Sequence, residues 1–95
     1  MFIVDLQYLA PLETIDAALE AHVRFLDEGY ASGYFIASGR KEPRTGGIIL
    51  AVASDKAQLE SFLRDDPFYR EGLARYTITE FIAGRKADNA GSLIA

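Results

Sequence analysis

The amino-acid sequence predicts an α+β domain, and three observations carry that prediction. Residues 2–9 and 76–82 alternate apolar and polar positions as half-buried strands do, and Ile48 to Ala53 is a nearly continuous apolar run. Between them, Ile15, Leu19, His22 and Leu26 recur at helical spacing. In chain order the segments read β-α-β-β-α-β. This is the split βαβ, ferredoxin-like arrangement: a four-stranded antiparallel sheet with both helices on one face.

Each element has local reasons. Phe2, Val4, Leu6 and Tyr8 share one face of the first strand, with Ile3, Asp5, Gln7 and Leu9 on the other. Pro11 ends it, and Thr14 is the expected N-cap of a helix running to about Tyr30, with Gly29 and Gly33 near its stop. Residues 34–38 form a short second strand. A polar loop from Gly39 to Gly47 follows, carrying Arg40, Lys41 and Arg44. The run Ile48 to Ala53 suits a central strand covered on both faces. Ser54 or Asp55 caps a second helix containing Leu59, Phe62 and Leu63, which stops at Asp65-Asp66-Pro67. Phe68 to Ala74 reads as a further helical turn or two. A single domain over residues 1–83 is expected, followed by a small polar tail over 84–95 in which Leu93 and Ile94 stand out.

Composition narrows the function. The chain has 95 residues, of which 49% are apolar and 12% aromatic, more core material than one domain of this length requires. Apolar residues on both faces of the strands, such as Phe2 and Ile3 or Tyr34 and Phe35, call for a cover on the face away from the helices. A second copy of the chain is the simplest cover, so a homodimer is expected. A formal charge of −4 disfavours nucleic acid, whose binding rests on neutralising phosphate. No apolar run approaches the ~20 residues that cross a bilayer, and the N-terminus lacks the basic start of a secretory signal. With no cysteine, disulfides, thiolate nucleophiles and zinc-finger sites are excluded, and a cytoplasmic setting is expected.

Little of the remaining chemistry is nucleophilic. The sequence holds no phosphate-loop motif, no dinucleotide fingerprint and no Gly-x-Ser-x-Gly elbow, so no cofactor is expected. One histidine without cysteine makes a transition-metal site an unfavourable reading, which leaves an all-carboxylate magnesium site as the open metal alternative. His22 sits within the apolar stripe of the first helix. Position alone favours a satisfied core histidine over a general acid–base group, and pattern does not separate the two. Asp66 before Pro67 is a standard helix cap, yet a carboxylate has oxygen enough to cap a helix and also accept from an imidazole N–H. Arg40, next to Gly39 at a strand end, is placed to meet an anionic ligand, whereas Lys41 and Arg44 are expected in solvent.

These features together resemble the YciI-like (YCII-related) family. The resemblance rests on the mid-helix Ala21-His22-Val23, on Ala37-Ser38-Gly39 before the Gly46-Gly47 strand entry, and on Asp65-Asp66-Pro67-Phe68-Tyr69 with Gly72-Leu73 after it. It spans roughly residues 1–83. It implies a dimeric α+β barrel and an enzyme with the helix histidine and the Asp-Pro aspartate lining a pocket. Carried over, this assigns His22 and Asp66 as the catalytic pair, with Ser38, Gly39 and Arg40 as ligand-binding residues at its edge. Where many members read Ser-Gly-Pro, this chain has Arg40, which tilts the ligand toward an anionic or polar molecule.

The expected activity is cofactor-independent proton transfer, of isomerase or lyase type, on a small anionic or enolisable substrate. The alternative is a non-catalytic dimer that binds or senses a small ligand. A third reading makes the domain an accessory one that docks through its Leu93-Ile94 tail. The aspartate adjacent to Pro67 is preferred over Asp65 as the histidine's partner, because that is the family's spacing.

Overall fold

The first strand, β1 (Phe2–Tyr8), lies inside the sheet and dictates its layout. Its neighbours are β3 (Gly46–Ala51) on one side and β4 (Ala74–Glu80) on the other, with β2 (Phe35–Arg40) at the edge beyond β3. All pairs are antiparallel, in the order β2-β3-β1-β4. The helices are α1 (Leu12–Ala31), α2 (Lys56–Leu63) and the single turn α3 (Pro67–Arg70). A 3₁₀ turn follows at Asp88–Ala90. The structure, a computed structural model, describes residues 1–90, so Leu93 and Ile94 of the tail lie outside the described residues.

The predicted ferredoxin-like fold is present, with several boundaries displaced for physical reasons. Helix α1 begins at Leu12 rather than after Thr14. Pro11 occupies the cap position and gives no side-chain bond, but its carbonyl accepts from the N–H groups of Thr14 and Ile15. Gly29 does not end the helix. It lies inside α1, where a Cβ would overlap the Phe35 ring, and Gly33, at φ 83°, makes the turn out. Strand β3 starts two residues early because Gly46 lets its backbone approach Leu6 more closely than any side chain permits. Strand β4 spans Ala74–Glu80 rather than 76–82, since its partner β1 ends opposite Glu80 at Phe2. Of the two candidate caps, Asp55 holds α2, accepting from the Gln58 N–H.

The core fills the space between the sheet and the helices: Phe2, Val4, Leu6, Ile49, Ala51 and Phe35 from the strands meet Ile15, Phe25, Leu59, Leu63 and Phe68. Among the described residues no helix covers the opposite sheet face, and the β3 residues facing it, Ile48 and Leu50, are only half-buried. Ile3, Ala37, Ile48 and Leu50 make its apolar centre, flanked by Asp5, Thr77 and Thr79. Its apolar part is confined to the central rows.

Strand β2 contains a bulge between Phe35 and Ala37. In a regular ladder with Phe35 opposite Ala51, Ser38 would fall opposite Ile48 and face away from the helices. The extra residue resets the alternation, so Ser38 pairs with Ile49 and Arg40 with Gly47, both on the helix face.

Candidate functional site

One row of residues crosses the sheet beneath the helices: Arg40, Gly47, Leu6 and Tyr76, from β2, β3, β1 and β4 in turn. Gly47 contributes no side chain to it. Between this row and α1 lies a cavity of about 270 Å³. Leu19, His22, Val23 and Leu26 of α1 form one wall, and Ser38, Gly39, Arg40 and Gly47 belong to another, with Tyr8 and Phe68 among the other lining residues. All five residues singled out in the sequence are drawn to this region, four on the cavity wall and Asp66 directly behind it.

His22 is buried because α1 directs the positions Ile15, His22, Phe25 and Gly29 toward the sheet. Its Nδ1 lies 2.8 Å from Oδ1 of Asp66. Asp66 is fully buried, and its position follows from its capping role: Oδ1 also accepts from the Phe68 N–H at 3.0 Å, with Pro67 opening the helical turn. Asp65 is exposed, which identifies Asp66 as the histidine's partner. The Phe68 ring stacks flat on the imidazole, with centroids 4.0 Å apart and planes 3° from parallel. The ring is thus held by an ion-pair-type bond at one nitrogen and a stacked face.

The other nitrogen, Nε2, has no protein partner among the described residues. Among the described residues no buried side-chain nitrogen or oxygen is left without one, so Nε2 must reach open space, and His22 lines the cavity. A carboxylate at Nδ1 fixes the proton there and leaves the Nε2 lone pair facing the cavity.

Tyr76 was not foreseen. Its hydroxyl donates to Oδ2 of Asp66, so three donors converge on the two carboxylate oxygens. Burial, and then the neighbouring negative charge of Asp66, push the Tyr76 phenol far above its ordinary range, which keeps it a neutral donor. In sequence Tyr76 is one more aromatic on an alternating strand. Only the pairing of β4 with β1 beside α3 brings it to Asp66.

The polar rim is less free than expected. Ser38 Oγ lies 2.7 Å from the Tyr30 hydroxyl, and Arg40, largely exposed, sits 3.5 Å from Glu42. Lys41 and Arg44 do not stand in solvent as predicted. Lys41 Nζ donates to Asp5 at 2.7 Å, and Arg44 donates to Asp16 of α1 while lying over the Tyr8 ring. The Arg44 guanidinium holds the Asp16 carboxyl below its usual range. These contacts tie the β2–β3 loop to both faces of the sheet and leave Arg40 as the guanidinium on the cavity wall.

The architecture and site define a class: a ferredoxin-like α+β domain with a His–Asp pair at the wall of a cavity under its first helix. The chain belongs to the YCII-related domain family, whose model matches residues 1–82. Among solved structures it is similar to 5-chloro-2-hydroxyhydroquinone dehydrochlorinase (TftG) from Burkholderia phenoliruptrix AC1100, in a complex with 2,5-dihydroxybenzoquinone. The TM-score is 0.70 at 19% identity, over 85% of this chain and 93% of that one, a likeness of fold. No curated protein sequence matches the chain. No helix among the described residues is long and apolar enough to cross a membrane.

Proposed function

We propose that this protein is a cofactor-independent enzyme of isomerase or lyase type acting on a small enolisable or anionic molecule. The observation that carries the reading is His22 itself: one nitrogen bonded to a buried carboxylate, the other open to a cavity. A core histidine would have both nitrogens satisfied by the protein.

In this reading Nε2 removes a proton from a carbon or hydroxyl of the substrate, and the bonding electrons pass into an enolate. Asp66 steadies the imidazolium that forms, and Arg40 with Ser38 offers donors to the developing oxyanion. Returning the proton to another atom completes an isomerisation. Expelling a leaving group from the adjacent carbon completes an elimination, and the dehydrochlorinase of similar fold is named for such a reaction. A cavity of about 150 Å³ suffices for benzene, so about 270 Å³ accommodates a substituted ring or a small branched acid. Two copies meet through the open sheet face at Ile3, Ile48 and Leu50, making the homodimer the working unit.

The test is solvent-hydrogen exchange. The protein is incubated in D₂O with a panel of enolisable oxo acids and hydroxyquinols, and deuterium uptake and consumption are followed by mass spectrometry. His22→Gln should lower turnover by about 10²-fold or more, the usual weight of a general acid–base group, while the variant stays folded. Binding of panel members without exchange or consumption by the unmodified protein would establish the ligand-binding module instead.

A further inference from the structure

The His22–Asp66 pair is closed on its far side by a group the proton-transfer reading does not use. Asp66 is fully buried, and its Oδ2 faces away from His22. The Tyr76 hydroxyl is the donor the structure gives to that oxygen. We propose that Tyr76 is a positioning residue of the site: it draws charge from Oδ2 and so limits how strongly Asp66 draws a proton onto His22. The proposal rests on the reading of His22 as the proton-transfer group.

The physical argument is one of shared charge. A carboxylate's negative charge is spread over both oxygens, and a donor on one weakens the pull of the other. Oδ1 carries two donors, the His22 Nδ1–H and the Phe68 N–H, and Oδ2 carries the phenol. Without the phenol, more charge would favour the imidazolium, and at a given pH fewer molecules would keep the Nε2 lone pair that a general base requires. Tyr76 does not touch the ligand cavity. It lines a separate cavity of about 160 Å³ behind α3, and its ring is held edge-on by Tyr69. The titratable groups facing the assembly are Tyr8 of β1, Arg40 of β2, Glu60 of α2 with Arg64 just after it, and Tyr69 of α3. All of them remain when the phenol alone is removed.

Because the chain has one histidine, its ring protons give one titration curve by NMR. In Tyr76→Phe that curve should move to higher pH by roughly 0.5 or more, and the acid limb of the kcat/KM profile should move with it while KM holds. A folded Tyr76→Phe whose histidine titrates as in the unmodified protein, or at lower pH, overturns the proposal. Should that variant fail to fold, 3-fluorotyrosine placed at position 76, a stronger donor, must move the curve to lower pH, and no movement overturns it equally. The titration needs no substrate. A displaced curve in a protein without turnover upholds the role of Tyr76 and refutes the enzymatic reading, and an unmoved curve in an active enzyme does the reverse.

Discussion

Asp66 concentrates the chemistry of this molecule in one side chain. It is wholly buried, caps α3, holds the imidazole and accepts from a phenol, so no lone pair of consequence is wasted. Its partner Tyr76 has a measurable signature at alkaline pH. The phenol's proton affinity is raised in the folded state above the ordinary value of 10.0, so its contribution to stability is complete below that pH. As pH climbs past 10 the unfolded chain ionises while the folded chain does not, and the contribution fades. Thermal unfolding followed between pH 9 and 11 should therefore show a steeper fall in Tm for the unmodified protein than for Tyr76→Phe. Parallel curves would contradict the raised phenol. Residues this informative were unevenly legible. Asp66 announced its cap through Pro67, but its contact with His22, 44 positions away, came only through family resemblance. Tyr76 carried no signal, because a tyrosine on an alternating strand looks the same whether it packs or donates.

Elements repeat the contrast. The existence and order of strands and helices followed from periodicity, which is a property of the whole segment. Their ends depended on pairing partners, and these moved β3 and β4 two residues earlier than the apolar pattern indicated. Helix α1 shows why. Gly29 looked like a stop signal, yet it is an interior position emptied so that Phe35 of β2 can lie against the helix. Gly29→Ala should consequently destabilise the fold despite alanine's better helix propensity. Overpacking of about 2 kcal/mol corresponds to a Tm lower by roughly 10 °C, read by circular dichroism. An unchanged or raised Tm would show that the Phe35 ring can give way. The bulge in β2 was equally invisible in the sequence, since Ile36-Ala37-Ser38 satisfies either alternation.

At the scale of the whole molecule the sheet separates two tasks. The helix face holds the cavity and the His22–Asp66 pair, while the opposite face presents Ile3, Ile48 and Leu50, the surface of the proposed dimer. In the proposed dimer, Leu50→Glu should give a monomer by light scattering with its secondary structure intact. A dimer that persists in this variant would place the seam elsewhere. The surplus of apolar residues noted in the sequence is smaller than it looked, because Asp5, Thr77 and Thr79 share that face. The bulge bears on how such a molecule changes over generations. Point substitutions at Ser38 or Arg40 adjust the cavity rim one group at a time. Straightening the bulge into a regular ladder would instead exchange the whole set, turning Ala37 and Gly39 inward and sending hydroxyl and guanidinium to the far side. The bulge, as much as residue identity, is thus heritable information about what this cavity accepts.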